Sequence, residues 1–500
     1  MADTKREIER KYEATTDTRL PDLTRVRGVS AVVEAGAADL DAVYHDTPDL
    51  RLAAHAITLR RRTGGGDEGW HLKLPVAPGI RDEISAPLAD EVPRKLAGLV
   101  RARTRGDALV PLVRLRSARD VRHLVDGDGT VLAELSTDTV HAERLTGGGT
   151  SAEWTEIEVE LADGADPALL DAVDKRLRKA GIRPAAAPSK LARALTGTGT
   201  PPPAPPTPAD RTAGDHVLAH LRAQVDALLT YDAAVRRDQP DAVHQMRVAT
   251  RRLRSAFRSY RKVLDRDVTD PLAGELKWVA AELGVERDQE VLTERLRTAL
   301  DGVPRTLLLG PVRARHRRWA TARRAGSRGR TLKLLDSGRY LALLDGLDAL
   351  LADPPLRPAA GKDPAGVLAK AVLKDHARLA DRVDRALSLP PGPERDVALH
   401  EARKAAKRAR YAAEAARPAL GKPAKRFAKR VKAVQKILGD HQDSVVARES
   451  LRNLAIQSHA AGESAFVWGL LYGREEAAAA ARERELPDVW AKVSVRGLER

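Results

Sequence analysis

Short segments of alternating apolar and polar residues run through the first 200 residues of the chain. They cover residues 6–12, 56–62, 70–75, 81–85, 110–116, 131–136 and 155–161. Because successive residues of a β-strand point to opposite faces, this period predicts strands with one apolar and one polar face. Turn-forming stretches such as GGGDEG and DGDG separate several segments, and a helical pattern lies near 168–181. The pattern predicts an antiparallel sheet with helices beside it.

The pattern changes to helical spacing after a proline-rich stretch. Residues 196–208 read TGTGTPPPAPPTP, a composition that interrupts helices and central strands and favours extended polyproline II. Beyond it, alanine, arginine and leucine recur at helical spacing, which predicts an all-α region. Breaks fall near Gly302, Pro354, Pro390 and Gly421. We therefore expect an α+β multidomain chain with a β domain at 1–195, a linker at 196–209 and a helical domain at 210–500.

The net charge also differs between the two sides of the proline-rich stretch. The 500 residues include 86 Lys and Arg against 70 Asp and Glu, for a formal net charge of +16. Residues 1–200 carry a net charge of about −2 and residues 201–500 about +18. A basic excess confined to the helical part predicts that this part binds a polyanion.

Cysteine is absent from the sequence. This excludes disulfide scaffolds, zinc–thiolate sites, iron–sulfur clusters and a cysteine nucleophile. The longest apolar runs fall far short of the roughly 20 residues of a membrane helix, so no membrane partner is expected. The first twelve residues are charged and lack the apolar stretch of a signal peptide. We expect a cytoplasmic protein.

The polar faces of the predicted strands carry acids and bases in close pairs. The residues that share a face are Glu7, Glu9 and Lys11; Arg60 and Arg62; His71 and Lys73; Arg81 and Glu83; Arg114 and Arg116; Glu134, Ser136 and Asp138; and Glu156, Glu158 and Glu160. Any one pair fits an ordinary solvated face. If the sheet closes with its charged side inward, the set lines a tunnel with both signs. Carboxylates bind Mg²⁺ or Mn²⁺, and Arg and Lys bind phosphate, which together suit phosphoryl transfer.

Several of these segments carry a family resemblance. Glu7 to Tyr12 (EIERKY) resembles the ExExK signature that opens the CYTH superfamily, the triphosphate tunnel metalloenzymes. The segments YHDTP, LRRR, WHLKLP, RDE, EIEVEL and SKL follow in the matching order, so the resemblance spans about residues 3–195. It implies an eight-stranded antiparallel β tunnel that hydrolyses or cyclises triphosphates with a divalent metal.

The resemblance also assigns site residues. The positions that match the metal ligands are Glu7, Glu9, Glu156 and Glu158, with Asp138 as their partner, and the cofactor is expected to be Mg²⁺ or Mn²⁺. The positions that match the phosphate-binding, catalytic cations are Lys11, Arg60, Arg62, Lys73, Arg116, Arg119 and Lys190. Which of Arg114, Arg116 and Arg119 face the tunnel stays open, and Arg114 and Glu134 fit either the lining or a structural ion pair.

The helical half contains an internal repeat. HQMR at 244–247 and LGVERD at 283–288 return as HEARK at 400–404 and LGDHQD at 438–443. Basic residues recur at helical spacing in both copies, and further basic stripes lie at 370–382 and 425–436. A lone stripe is usually a solvated face, but several stripes with few interleaved acids repel one another unless a polyanion bridges them. A duplicated helical bundle is therefore expected.

This half resembles the CHAD domain, a conserved-histidine α-helical domain, over about residues 210–495. The resemblance implies polyphosphate binding in a basic channel. The matching positions are His244, Arg247, Arg251, His400, Arg403, Lys404, Lys407 and Arg408, with Asp288 and Asp443 orienting the cations. For the two histidines, a helix-packing hydrogen bond is the alternative.

These inferences predict a metal-dependent inorganic triphosphatase coupled to a polyphosphate-binding helical domain. Charge alone is sufficient to bind inorganic tripolyphosphate, the expected substrate, and long-chain polyphosphate is the expected partner. The alternatives are a non-catalytic polyphosphate-binding or granule-associated protein, and a triphosphatase of organic substrates such as thiamine triphosphate. Nucleic acid is not expected as a partner, because aromatic residues are only 3% of the chain and single strands are bound by stacking. Association with polyphosphate granules in the cytoplasm is a further expectation.

Overall fold

A computed structural model describes residues 4–203, 211–324 and 326–498. The chain forms two compact units, residues 1–206 and 207–500. In the first unit, the helices lie beside the barrel and at one end of it, whereas the second unit is almost entirely helical in its described part. The predicted α+β class, with a β tunnel followed by a helical region, is confirmed.

The first unit is a closed antiparallel barrel of eight strands in the order β1-β5-β4-β3-β2-β6-β7-β8. The strands are β1 (Thr4–Ala14), β2 (Ala31–Asp46), β3 (Thr58–Thr63), β4 (Gly69–Ala77), β5 (Ile80–Ala86), β6 (Val110–Val125), β7 (Val131–Arg144) and β8 (Ser151–Leu161). Closure pairs the first strand with the last, Lys11 opposite Glu158, so no strand has a free edge along that seam.

An apolar layer covers part of the outside of the barrel. Tyr12, Ile157 and Val159 point outward from β1 and β8 and pack in one buried cluster with Leu170 and Val173 of helix α2 (Ala168–Lys179). Their neighbours Glu7, Glu9 and Glu158 point inward. Because side chains alternate along a strand, burying the apolar face outside sends the charged face into the barrel.

Helix α3 (Lys190–Gly197) packs on the inner face at one end of the barrel. Its side chains Leu191 and Leu195 are buried with Leu115 and Ala142 of β6 and β7. The interior is therefore apolar where α3 enters and charged beyond it. Ser189 caps the helix by accepting a hydrogen bond from the Ala192 amide, which places Lys190 at the boundary between the two regions.

The strands differ from the sequence prediction in two places. The alternation does not predict β2, because its sequence is rich in Ala and Asp, which have low β propensity. It forms by pairing along most of its length with β6, and β6 and β7 extend well beyond residues 116 and 136 as a result. The neighbours in the barrel thus override local propensity.

The start of the predicted linker packs on the barrel unit. Thr196 and Gly197 belong to α3, and the Thr198 hydroxyl donates to the Ala194 carbonyl oxygen. Thr198 is also buried, and its carbonyl accepts from Thr150. Residues 196–198 therefore belong to the first unit, and the prolines after residue 203 lie outside the described residues.

The second unit consists of helices. They are α4 (Ala213–Arg236), α5 (Ala242–Ser259), α6 (Arg266–Asp301), α7 (Val312–Arg324), α8 (Ser327–Leu335), α9 (Gly338–Ala352), α10 (Pro364–Ser388), α11 (Pro393–Ala460) and α12 (Phe466–Ala491), and helix α1 (Arg94–Thr104) belongs to the barrel unit. Gly421, with non-helical φ and ψ, interrupts α11, and α6, α9 and α10 end at the predicted breaks. None of the helices in the described part of the chain has the length and hydrophobicity to cross a bilayer.

We expect Leu191→Ala to destabilise the barrel by about 2–5 kcal/mol, since it deletes a buried side chain that the inner apolar end cannot replace. Hydrogen exchange of barrel peptides in increasing urea measures this loss. Leu170→Ala, in the outer cluster, is the matched control. It should lower the free energy of unfolding by a similar amount. The hydrogen exchange of α3, compared with that of the other barrel peptides, should stay as in the wild-type protein. If hydrogen exchange in the Leu191→Ala variant is the same as in the wild-type protein, packing by α3 does not stabilise the barrel.

Candidate functional site

The barrel encloses a cavity of about 810 Å³ with charged residues of both signs on its wall. Its acidic lining residues are Glu7, Glu9, Asp67, Glu68, Glu83, Glu134, Glu158, Glu160 and Asp163, and its basic ones are Lys5, Lys11, Arg60, Arg62, Lys73, Arg81, Arg119 and Lys190. The inward charged face predicted from strand alternation is therefore present.

Three carboxylates gather at and behind the cavity wall, where Glu158 is a lining residue. Asp138, Glu156 and Glu158 each place a ligand oxygen within 4.8 Å of the others. The Lys190 ammonium lies among them, 2.9 Å from Asp138 Oδ2, 2.8 Å from Glu156 Oε1 and 2.6 Å from Glu158 Oε1. Burial disfavours an isolated ammonium, yet the carboxylates raise the pKa of Lys190 above its usual range.

Two further cations hold this carboxylate cluster. Arg119 donates to both oxygens of Asp138, at 2.7 and 2.8 Å, and also contacts Glu158. Lys11 donates to Glu158 and, at 2.8 Å, to Glu9. Burial works against ionisation of Glu158, but the Lys11 and Lys190 ammoniums hold its pKa well below its usual range.

A second group of charges lies on β1, β4 and β5. Lys73 donates to both oxygens of Glu7, at 2.8 and 2.7 Å, and lies 3.5 Å from Glu83. The His71 ring contacts Glu83 through Nδ1 at 2.5 Å. Burial, together with the adjacent Glu83 carboxyl, raises the pKa of Glu7 to about 8 against the attraction of Lys73. Two neighbouring buried carboxyls cannot both ionise at low cost.

Guanidinium groups converge on the same cavity. Arg60, Arg62 and Arg119 are close enough that burial and the charges of the other two lower the pKa of Arg62 to about 10. The Nε atoms of Arg60 and Arg62 are buried without a hydrogen-bond partner in the described structure. Three guanidinium groups that repel one another on one cavity wall suit an anion with several oxygens.

The carboxylate cluster fits a divalent cation. Its donor set is three hard oxygen ligands, the type that Mg²⁺ and Mn²⁺ prefer. Glu156 Oε1 is buried and accepts no hydrogen bond, although Lys190 Nζ is 2.8 Å away. Glu7 and Glu9, predicted as ligands, lie outside this cluster and pair with Lys73 and Lys11 instead.

The structure corrects the prediction for Arg116. This residue is exposed and does not line the cavity, whereas Arg119 does. The β6–β7 register is continuous from Arg116 opposite His141 to Arg119 opposite Asp138, so residues three apart point to opposite faces. Arg114 shares the outer face and pairs with Asp41, which makes it a structural ion pair.

Some lining residues were not assigned a role from the sequence. Tyr44 is buried in the wall and accepts a 3.4 Å hydrogen bond from Arg60. Its side-chain direction was not predicted, because β2 was not recognised as a strand. Lys5 also lines the cavity, and the alternation that assigned Glu7 and Glu9 would have found it two residues earlier. Glu134 is part of the lining.

In the helical unit, four of the predicted cations form one cluster. Lys407 is surrounded by Arg247, Arg251 and Arg403, and we call these four residues the cation cluster. Burial and the adjacent Arg403 and Arg251 guanidiniums lower the pKa of Lys407 to about 7. The Nε atoms of the three arginines are buried without hydrogen-bond partners in the described structure. The cluster therefore concentrates positive charge that the protein itself leaves poorly compensated.

The two repeats contribute to this cluster in the same way. Arg247 pairs with Asp288 at 2.9 Å and packs against Gly284. Arg403 faces Asp443 at 3.6 Å and packs against Gly439. The small residue lets the guanidinium lie close to the backbone of the helical segment it faces. Asp288 and Asp443 thus each lie beside the arginine of their own repeat.

Two of the cations predicted to bind polyphosphate point away from the cation cluster. Lys404 is exposed and pairs with Glu401 at 2.7 Å, and Arg408 pairs with the buried Asp375 at 2.8 Å. Each residue turns a helix by about 100°, so the neighbours of Arg403 and Lys407 cannot share their direction. These two assignments are therefore corrected.

The two histidines of the repeat are half-buried. Burial and the Lys404 charge lower the pKa of His400, and its Nδ1 is buried without a hydrogen-bond partner in the described structure. His244 lies one helical turn before Arg247 on the cluster-facing stripe of α5. Both remain candidates for contact with an anion.

Known proteins match both units. A CYTH domain model matches residues 5–195, and a CHAD domain model matches residues 219–452. The uncharacterized protein Rv2226 of Mycobacterium tuberculosis is 40% identical over 501 residues, 96% of this chain and 94% of that protein. Among solved structures, PptA from Streptomyces chartreusis is 25% identical with a TM-score of 0.48 and covers 56% of this chain and all of that one. The CHAD domain of the plant Ricinus communis is 28% identical with a TM-score of 0.45, covering 59% of this chain and 95% of that one.

Members of the CYTH family are triphosphate tunnel metalloenzymes, a class of metal-dependent phosphoryl hydrolases and cyclases, and the closed, charge-lined barrel has the form such a tunnel requires. With both models matched in order and a relative aligned over nearly its whole length, the chain belongs to the family of proteins in which a CYTH domain is followed by a CHAD domain.

Proposed function

We propose that this protein is a metal-dependent inorganic triphosphatase whose helical domain binds polyphosphate. One observation carries the first part. In the barrel cavity, Glu158 of the carboxylate cluster suited to a divalent cation lies on the same wall as the guanidinium groups of Arg60, Arg62 and Arg119. Cations for the substrate charge and ligands for a metal are the two components that phosphoryl transfer needs.

The arginines and the carboxylates of the barrel have different proposed roles. Arg60, Arg62 and Arg119 bind the phosphate oxygens and neutralise the charge that develops during transfer. Asp138, Glu156 and Glu158 would hold Mg²⁺ or Mn²⁺, which when bound acts as a Lewis acid and orients water. The barrel wall excludes bulk water and strengthens each of these interactions. In the reaction, a water oxygen forms a bond to the terminal phosphorus, the bridging P–O bond breaks, and orthophosphate leaves the shortened chain.

The cavity lining favours an inorganic substrate. Tyr44 is the one phenyl or indole ring among the described lining residues, and Arg60 engages its hydroxyl inside the barrel. Thiamine or adenine recognition would call for an aromatic platform or base-reading groups at the entrance. Tripolyphosphate needs charge alone, and the wall supplies it.

The cation cluster supports polyphosphate binding by the helical domain. Arg247, Arg251, Arg403 and Lys407 repel one another, and the buried Nε atoms of the arginines lack acceptors in the described structure. A polyanion threaded past the cation cluster would offset this repulsion and release its counterions. Domain limits near residues 195 and 210, a cytoplasmic location and association with polyphosphate granules remain predictions.

Replacing two cluster ligands, Asp138→Asn with Glu158→Gln, should weaken Mn²⁺ binding at least about tenfold and abolish phosphate release from tripolyphosphate, since the cation loses two of its three carboxylates. Calorimetric Mn²⁺ titration and phosphate release in MgCl₂ or MnCl₂ measure the two effects. Glu153→Gln, an exposed change on the same strand as Glu158, is the control and should alter neither. Phosphate release by the double variant at the wild-type rate would refute the metal assignment.

The inorganic specificity has its own test. If the wild-type protein releases phosphate faster from thiamine triphosphate than from tripolyphosphate, that specificity is refuted.

Arg119→Gln should lower the turnover of tripolyphosphate by about 10²- to 10³-fold, because it removes a group that stabilises charge in the transition state. Arg116→Gln, on the same strand but the outer face, should leave turnover within about twofold of wild type. Steady-state phosphate release at saturating Mg²⁺ compares the two. Equal losses would show that the assignment of faces on β6 is wrong.

Polyphosphate affinity should fall as pH rises above 7. In the free protein the pKa of Lys407 is about 7, and a bound polyanion raises it, so binding takes up a proton above that pH. The contribution of Lys407 is therefore complete below pH 7 and declines above it. Calorimetry at pH 8 in two buffers of different ionisation enthalpy measures the proton uptake. Lys407→Arg keeps the charge and should remove the uptake. Persistence of the uptake in this variant would contradict the assignment.

A further inference from the structure

The part of α11 that follows Gly421 carries an unusual run of positive charge. Seven exposed cations lie there: Lys422, Lys425, Arg426, Lys429, Arg430, Lys432 and Lys436. No acidic residue occurs between Glu414 and Asp440. In the described part of the chain, none of the seven forms an ion pair. Side chains so placed repel one another, and nothing in this segment offsets the repulsion.

Four of these lysines form a single row. Lys425, Lys429, Lys432 and Lys436 follow one another at spacings of four, three and four, so they share one face of the helix. Continued by the same spacing, this face reaches Gly439 and Asp443. Residues 425 and 443 are five helical turns apart, about 27 Å along the axis. We call these four residues the lysine row.

The row ends at the cation cluster. Gly439 packs against the Arg403 guanidinium, and Asp443 faces the same group at 3.6 Å. The exposed lysines therefore lie on the helix face that, farther along, forms part of the cluster wall. A linear anion leaving the cluster along this face of α11 would meet the four ammoniums in succession.

The duplicated fold does not require this charge. The corresponding stretch of the first repeat lies in α6, before Gly284, and carries Asp267, Asp270, Glu275 and Glu282 among its few cations. Two of these acids form ion pairs, Asp270 with Arg266 and Glu275 with Arg339. The same helical position is thus charge-balanced in one repeat and purely basic in the other, so the lysine row is a property of the second repeat alone.

We propose that the lysine row is a second binding surface for polyphosphate, which holds the part of a long chain that extends beyond the cation cluster and so gives the protein a preference for long chains. The inference rests on the proposed polyphosphate binding at the cluster. One row of ammoniums on a convex helix matches a thin, linear chain of closely spaced charges. It offers no aromatic side chain for stacking and no recess for a duplex backbone.

The test compares three variants of the full chain by affinity for size-fractionated polyphosphate. All carry Arg60→Gln and Arg62→Gln, so that the tunnel does not compete, and all are measured in EDTA. The row variant is K425Q/K429Q/K432Q/K436Q. The matched control, R317Q/R318Q/R330Q/K333Q, removes the same charge from exposed positions of α7 and α8, which carry no cluster residue. The third variant, R251Q/R403Q, removes the cluster. Circular dichroism melts confirm that each is folded.

We expect the row variant to bind the shortest chains as tightly as its parent and the longest at least about tenfold more weakly, with a salt slope smaller by about 3 for four lost contacts. The control should follow the parent at all lengths. Equal losses in the control, or losses in the row variant that do not depend on chain length, would overturn the proposal. So would weaker duplex DNA binding by the row variant with unchanged polyphosphate affinity. If R251Q/R403Q binds like its parent, the proposed function of the cluster fails instead, whatever the row variant does.

Discussion

The ammonium of Lys190, held among three buried carboxylates, is the interaction on which the barrel interior depends. Without a cation, Asp138, Glu156 and Glu158 would repel one another in a region closed to water, and ionisation would be costly. The helix that supplies this cation also fills the apolar end of the barrel, so the packing of α3 positions the cation among the carboxylates. A divalent cation can take over the role of the Lys190 ammonium only where the three carboxylates are already close together. The fold that brings them together is therefore a precondition for binding the metal.

The two units differ in how their buried charges are compensated. In the barrel, acids and bases alternate on one wall and lie within ion-pair distance of one another. In the described part of the helical unit, the acids that pair with arginines of the cation cluster are Asp288 and Asp443, and burial together with the neighbouring guanidiniums lowers the pKa of Lys407. A site of mixed sign suits a metal–phosphate complex, whereas a site of one sign suits a polyanion that brings its own negative charge.

Both sites follow from the same chemistry of linked phosphates. Each uses buried guanidinium groups whose Nε atoms lack acceptors in the described structure, at Arg60 and Arg62 in the barrel and at Arg247, Arg251 and Arg403 in the helices. The family relationship places the two domains in one chain, and the proposed activities give them related ligands. Under that proposal, the barrel binds a short phosphate chain and the helical surface binds a long one.

The amino-acid sequence by itself determined the class of fold and most of the charged face of the tunnel. Alternation along β1 and β8 placed Glu7, Glu9 and Lys11 on one charged face and Glu158 on another, because a strand has only two faces and the apolar one was evident. That these faces point inward followed only if the sheet closes, as the family resemblance implied. The tertiary structure decided what alternation leaves open. The register of β6 against β7 selected Arg119 over Arg116, pairing with β6 made a strand of the weakly β-forming segment at 31–46, and helix rotation turned Lys404 and Arg408 away from the cluster. Local pattern fixes the faces of an element, but which of its charged residues meet depends on neighbours that are distant in the sequence.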